Sequence, residues 1–598
     1  MFQTFVSSAD PSHGPARLKA LRAAMTDAGV DGFLVPRADA HQGEYVAACD
    51  ERLSWLTGFT GSAGFACVLQ DKAGVFVDGR YRLQVREQVA DVFTPVDWPE
   101  VQLGDWVLEN LGSGTLGFDP WLHTVEQIEQ LTKIFAGKGI TLQPVANLID
   151  AVWADQPAAP NAKAFAQEIE FAGEDHAAKR RRLGEDIAAT GADAAVITLP
   201  DSICWLLNIR GADIPKNPVV QAFAILHADG KVALFIDPAK CADLDVHLGA
   251  DITVTSPEQF VDALSALTGR VRLDKSTAPM AVASVLSTQG TEIDFGAEPC
   301  ALPKARKNAR ELEGTTEAHL RDGAAVANFL AWFDDNSENG ISEIDVAQQL
   351  ESCRTATNQL KDISFDSIVG TGPHGAVIHY RVTHDTSRTL QSGEIMVIDS
   401  GGQYVDGTTD ITRTLPIGSI GDEEKRAFTL VLKGMINVSQ LRWPAGLAGR
   451  DIEAFGRRPL WLAGLDFDHG LGHGVGVYLS VHEGPQRLSK VSHVPLEPGM
   501  ILSNEPGYYK PGQFGIRIEN LVVVEQAPSL EGGDDHRQML RFRTLTYAPI
   551  DRRLIVPEML TQDERDWLNT YHQECYAHLS PRVEEKTRAW LSQATQPL

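Results

Sequence analysis

The chain has 598 residues, enough for about four domains of ordinary size. Apolar residues make up 43% and charged residues 22%, which excludes a disordered, fibrous or disulfide-stapled chain. With 53 Lys and Arg against 80 Asp and Glu, the formal charge is −27, so neither nucleic acid nor an anionic membrane is expected as a partner.

The seven cysteines are scattered and form no C-x-x-C, a pattern that fits reduced thiols in a reducing compartment. The opening MFQTFVSSADPSHG has neither the basic nor the apolar region of a leader. No apolar run reaches the roughly 20 residues of a membrane span. A cytoplasmic location is expected.

Residues 16–28 place Leu18, Leu21 and Met25 at helical spacing, and Gly29 follows as a C-cap. Phe33 to Val35 predicts a strand ended by Pro36, and Phe65 to Leu69 with Val75 to Val77 predicts a strand pair around residues 70–74. The same order returns further on: a helix over 177–190, then a strand from Ala194 to Leu199 ended by Pro200. Trp205-Leu206 repeats Trp55-Leu56, and Phe223 to Asp237 repeats Phe65 to Asp78. A duplicated α/β unit accounts for this matching order better than chance does.

Residues 154–163 (ADQPAAPNAK) read as a linker between the copies. A second boundary falls at 300–310, where Lys304, Arg306, Lys307 and Arg310 cluster. In so acidic a chain this cluster reads as a solvated linker rather than a nucleic-acid contact. An amphipathic helix from Ala309 to Phe333 opens a third unit, in which strand patterns and glycine-rich turns dominate to about residue 550. Two helices close the chain. Thr561 to Glu564 is a capping box, and Ser580-Pro581 with Glu584 and Glu585 is a second helix start. Trp567, Tyr571 and Trp590 mark this tail as packed. The expected boundaries are 1–155, 156–305, 306–535 and 536–598.

Between 371 and 519, acidic residues and histidines gather at strand ends and beside glycines. Asp399 ends the apolar run Ile395 to Ile398 and Asp410 precedes Ile411, a strand–turn–strand pattern that can bring the two together. Adjacent carboxylates repel unless protonated or bridged by a cation; each alone also reads as a turn residue. Asp406, in Asp-Gly, is read as a turn. Asp468 to Gly476 (DHGLGHGVG) lacks both the G-x-G-x-x-G spacing and a P-loop lysine. Its glycines are read as allowing close backbone approach, with His473 a ligand candidate and His469 its neighbour. His482, in VHEGP, lacks the second histidine of H-E-x-x-H and alone reads as structural. Glu505 ends a strand before a Pro-Gly turn. Glu519 lies in an apolar alternation on the same face as Arg517, so it is either a metal ligand or half of a buried ion pair.

In order, Asp399, Asp410, His473, Glu505 and Glu519 resemble the five metal ligands of the pita-bread metallopeptidases. So do the surrounding DGTTDITRT, GHGVG, VHEGP, NEPGYY and FGIRIEN. That family includes methionine aminopeptidase, prolidase, creatinase and aminopeptidase P. The resemblance is to the long, three-domain, cytosolic type of aminopeptidase P and reaches the tail motif Asp566 to Asn569 (DWLN). It implies an α/β (α+β) chain with two creatinase-type N-terminal domains, a pita-bread catalytic domain and a helical C-terminal extension.

The resemblance also implies two divalent cations whose charges balance four carboxylates. The oxygen-rich set favours manganese, with zinc or cobalt as alternatives. The implied reaction is hydrolysis of the bond between an N-terminal residue and a following proline in short peptides, by a hydroxide activated between the ions. Glu505 would also relay the proton to the leaving nitrogen. His379 would donate to the oxyanion, His482 would contact the scissile peptide and His469 would line the outer pocket, while Arg517 would orient the carboxylates. The N-terminal domains would shape the entrance. Trp461 falls where relatives place a dimer-interface tryptophan, the alternative being a core residue, and a homodimer is expected. The rival activities are a prolidase-type dipeptidase and a non-catalytic pita-bread binding protein.

Overall fold

The repeated order of sequence features is a repeated topology. In the first copy the strands lie in the sheet order Thr94–Asp97, Ala73–Val77, Phe65–Leu69, Gly32–Pro36, Gly114–Phe118, Ile140–Pro144. In the second they lie in the order Ile252–Thr255, Val232–Phe235, Phe223–His227, Ala194–Ile197, Arg270–Leu273, Glu292–Phe295. Numbered along the chain, both sheets read fourth, third, second, first, fifth, sixth. The first three strands pair antiparallel and the outer ones parallel in both. These sheets belong to a unit formed by Ser8–Lys304; Met1–Ser7 and Ala305–Leu598 form the other. The computed structural model describes residues 1–534 and 536–598.

Side-chain alternation splits each strand between two cores. Phe33 and Val35 pack with Leu18, Leu21 and Met25 of the helix Gly14–Asp27, while Leu34 packs with Cys67, Phe76 and Leu116 on the opposite face. Each such side chain, fully buried, contributes roughly 1.5–3 kcal/mol. The strand expected over 194–199 stops at Ile197. Pro200 opens the helix Pro200–Leu207 that carries Trp205, as Arg52–Thr57 carries Trp55. Residues 154–163 contain neither helix nor strand.

The basic cluster at 304–310 is not a solvated linker. Lys304 is buried and its Nζ lies 2.5 Å from Asp201 Oδ2; Lys307 is buried and ion-paired with the buried Glu483. Arg306 and Arg310 are the exposed members, salt-bridged to Glu497 and Glu313. Burying an ammonium is costly unless it is paired, and a carboxylate offsets that cost for each of these two lysines.

In the second unit the long helix runs Ala309–Asn336, started by an Asn308–Glu311 capping box. It packs with the helix Glu343–Thr355 over a sheet of Ile368–Thr371, Ile395–Ser400 and Ile411–Pro416. A six-stranded sheet follows in the order Arg442–Pro444, Met539–Thr544, Asn520–Gln526, Ile501–Asn504, Gly472–Gly474, Glu483–Leu488. Two helices, Asp422–Ser439 and Gly449–Trp461, interrupt the region expected to be dominated by strands. They cross at a glycine contact: a Cβ on Gly434 would sit 2.2 Å from the Gly456 carbonyl oxygen.

The tail carries the capping box at Thr561 and Glu564 on the helix Gln562–Leu579. Ser580-Pro581 opens only a 3-10 turn; the last helix, Glu585–Ala594, starts after Glu584. Residues 1–7 lie on this unit as a strap. Phe2 and Gln3 donate their N–H groups to Glu351 at 2.6 and 3.1 Å, and Phe5 is buried with Phe329 and Phe333. Among the described residues no helix is long and apolar enough to cross a membrane.

Candidate metal centre

Two strand pairs deliver the acidic residues. In the first, Asp399 lies directly opposite Thr412, and Asp410 is two residues before Thr412, so all three share one face. The connection between them is longer than a simple turn: Gly402–Tyr404 and Gly407–Thr408 form a small ribbon of their own. Asp406 sits at its turn and takes two hydrogen bonds from Arg321, at 3.0 and 2.8 Å. In the second pair, the last matched residues are Asn504 and Asn520. Glu505 and Glu519 are the next residues on either side, which is why a pair so far apart in sequence emerges together. Glu519 therefore stands just outside the strands, not within them.

His473 lies in the short strand Gly472–Gly474. A Cβ on Gly472 would fall 1.9 Å from the Ser503 carbonyl oxygen, and one on Gly474 would fall 2.3 Å from that of Glu483. The glycines are thus required by close backbone approach. The His473 ring Nδ1 lies 2.9 Å from the Gly474 carbonyl, which turns Nε2 toward the carboxylates. Nε2 is 3.5 Å from Asp410 Oδ2 and 3.5 Å from Glu505 Oε1.

The structure brings all five residues together, with a sixth. Donor atoms of Asp399, Asp410 and Glu519 lie within 4.8 Å of one another; so do those of His473, Glu505 and Glu519, and those of Asp410, His473 and His482. Asp399, Asp410 and Glu519 are buried. Burial, and then the neighbouring carboxylates, push the Asp410 and Glu519 carboxyls well above their ordinary range; burial also raises that of Glu505. Asp399 Oδ1 is buried with no hydrogen-bond partner among the described residues. Two dications would supply the missing positive charge and a coordination partner for that oxygen, so this donor set fits them.

Arg517 does not pair with Glu519. Its Nη2 donates to Asp399 Oδ2 at 2.6 Å, its Nη1 to the Tyr509 hydroxyl at 2.6 Å and to the Ile378 carbonyl at 3.3 Å. Glu519 instead accepts from the Thr412 hydroxyl at 2.9 Å. His469 Nε2 lies 3.0 Å from the Tyr509 hydroxyl, so a line runs from His469 through Tyr509 and Arg517 to Asp399. Burial pushes the Tyr509 phenol up to about 12, so it stays protonated. His379 is half-buried, next to the Ile378 carbonyl that Arg517 holds. His482 packs edge-on against His473, with ring centroids 4.2 Å apart.

Thr412, Ser503 and Tyr509 are absent from the sequence-based set. Ser503 Oγ accepts from the His473 N–H at 2.9 Å and donates to Glu505 at 3.1 Å. The alternation Asp410, Thr412, Thr414 in a fully buried strand was a signal for Thr412. Tyr509 carries none beyond its place in NEPGYY.

Comparison with known proteins matches nearly the whole chain. The model for metallopeptidase family M24 matches residues 313–526, and that for the C-terminal region of peptidase M24 matches 538–598. Creatinase/prolidase N-terminal domain models match twice, at 17–152 and 155–311. A probable Xaa-Pro aminopeptidase P of Laccaria bicolor is 39% identical, covering 97% of this chain and 93% of its own. Aminopeptidase P2 of Arabidopsis thaliana is 37% identical over 95% of this chain and 86% of its own. The crystal structure of an X-prolyl aminopeptidase from Caenorhabditis elegans, described as a cytosolic enzyme with a di-nuclear active site, matches with a TM-score of 0.92. It shares 30% identity and covers 98% of this chain and 100% of that one.

Proposed function

Because the chain belongs to metallopeptidase family M24, in its aminopeptidase P group, we propose that it removes an N-terminal residue preceding proline from short peptides, using two divalent cations. The observation that carries this reading is the cluster of four carboxylates around His473, three of them buried, with one carboxylate oxygen lacking a hydrogen-bond donor among the described residues. Asp399, Asp410, His473, Glu505 and Glu519 would hold the cations. Manganese suits the oxygen-rich set best, with zinc or cobalt as alternatives.

Bound there, the cations would supply Lewis-acid chemistry, making a water nucleophilic and the carbonyl ahead of proline electrophilic. Glu505, its carboxyl raised by burial, passes a proton to the proline nitrogen, which carries no hydrogen of its own in the peptide. His379 donates to the developing oxyanion. His482, at the edge of the set, holds the scissile peptide. His469 lines the outer pocket with Tyr509. Arg517 fixes Asp399 in place while Tyr509 and Thr412 fix Arg517.

The proposed division is two creatinase-like domains at 1–155 and 156–305, a catalytic domain at 306–535 and an extension at 536–598. Trp461 is 48% exposed, which removes the core alternative, and with the exposed Phe455 and Leu462 it offers an apolar face to a second copy of the chain. A cytoplasmic setting agrees with the description of the Caenorhabditis elegans enzyme.

The test is cleavage of Arg-Pro-Pro beside the dipeptide Arg-Pro, by metal-stripped protein with manganese restored. Release of arginine from the tripeptide is expected. Cleavage of the dipeptide alone would move the activity to that of a prolidase. Cleavage of neither, with manganese still bound, would leave a binding protein.

A further inference from the structure

We propose that Glu343, outside the metal-ligand set, is a positioning residue for His379; the proposal rests on the reading of His379 as the oxyanion donor. Glu343 is the first residue of the helix Glu343–Thr355, and its side chain is wholly buried. Four residues donate to its carboxylate. The Thr371 N–H reaches Oε1 at 2.9 Å, and the Arg388 N–H reaches Oε2 at 3.0 Å. The Tyr380 hydroxyl reaches Oε2 at 3.2 Å, and His374 Nδ1 lies 3.0 Å from both oxygens.

All four donors come from one segment, residues 371–388. Apart from the 3-10 turn Gly372–Ala376, the segment between the strands Ile368–Thr371 and Ile395–Ser400 has no regular structure. Its backbone cannot hold its own shape through a ladder of hydrogen bonds, so one carboxylate ties it at four points. The guanidinium of Arg388, the nearest arginine in that segment, is committed elsewhere, to Glu394 at 2.8 Å and to the Thr371 carbonyl at 2.6 Å. Glu343 is therefore not half of an ordinary arginine–carboxylate pair. It shapes a loop.

His379 sits where that shaping matters. On one side of it, the Ile378 carbonyl accepts from Arg517, which also holds Asp399. On the other side, the Tyr380 ring is buried and its hydroxyl is on Glu343. The backbone of His379 is thus gripped between the metal-site arginine and Glu343. Loosening one grip leaves the imidazole in place on average but poorly aimed, and a misplacement of about 1 Å can cost on the order of 100-fold in rate.

The test uses the full chain loaded with manganese and a Xaa-Pro-Pro tripeptide. Glu343→Gln is expected to lower kcat by about 10- to 100-fold, with KM changed less than about threefold and two manganese ions still bound by elemental analysis. Tyr380→Phe, which removes a single donor and keeps the ring, is expected to lower kcat severalfold. It also serves if Glu343→Gln does not fold. Each change is then repeated in a His379→Ala background. A residue acting through His379 adds little further loss there, whereas independent structural damage multiplies with it. Wild-type kcat in both single variants, or full multiplication in both double variants, would overturn the proposal. Wild-type kcat in His379→Ala would overturn the reading of His379 itself, and the proposal with it.

Discussion

Two regions of the molecule bury charge in opposite ways. In Ser8–Lys304, Lys240 and Asp213 are both buried and meet at 2.7 Å; Asp213 also accepts from the N–H groups of Ala162 and Gln221. The charges of this pair offset each other. In the second unit, Asp399, Asp410, Glu505 and Glu519 crowd around one guanidinium and His473. The first arrangement maintains a fold. The second has too few cations for its anions, and folding alone gives no reason to keep it.

The largest expected effect tests the second region alone. Glu505→Gln keeps the volume and removes the proton acceptor. Release of the first residue from Arg-Pro-Pro should fall about 10²- to 10⁴-fold, with the thermal midpoint nearly unchanged. A variant as active as the parent would remove Glu505 from the reaction.

Next in size is the first region. Asp213→Ala strands the buried Lys240 ammonium and should cost about 3–5 kcal/mol in denaturant unfolding of that unit. Near-neutral stability would mean that the pair is dispensable, and the contrast would collapse.

Adding cation to metal-stripped protein should then make the two regions alike. At about 100 times the dissociation constant, manganese should stabilise by about 2.7 kcal/mol, a gain that Asp410→Asn should lose. The metal-free protein also has a sign to check. The Asp410 and Glu519 carboxyls are raised on folding, so their contribution is fully present below pH about 4. It is lost as pH rises through their higher folded values. Metal-free stability should therefore fall as pH increases through that window, and the slope should flatten once manganese is bound.

At neutral pH the smallest effect, which grows only on acidification, runs the other way. Burial, then Arg413 and Arg552, hold the His572 imidazole down to about 3. Its contribution is present above the ordinary histidine value of about 6.5 and is lost as pH falls toward 3, at most about 1.4 kcal/mol per unit. His572→Gln should blunt acid unfolding between those limits, as read by the midpoint of a pH titration.

The ligand set was legible because its residues break a rule. Acidic side chains stand where strand burial calls for apolar ones, and glycines crowd a histidine. The duplicated sheets were legible because proline and tryptophan punctuate both copies in one order. The helices Asp422–Ser439 and Gly449–Trp461 were not. Ala427 to Leu432 are buried without a break, so the run carries no helical period, and Gly456 with Pro459 puts two breakers inside the other helix. Tyr509 and Glu343 were hidden for another reason. Each matters through what a distant segment brings to it, Arg517 in one case and the loop 371–388 in the other.

The strap at residues 1–7 sets an order of events during synthesis. Its contacts, such as those of Gln3 with Glu351 and Ser367, span about 350 residues or more, so this segment is made long before its partners and is among the last to find its place. Meanwhile Ser8–Lys304 is continuous and can fold as soon as it is made. The buried acidic cluster therefore closes only after the N-terminal unit is finished. Deleting residues 1–7 should therefore leave the refolding rates nearly unchanged and speed unfolding of the unit that carries the strap.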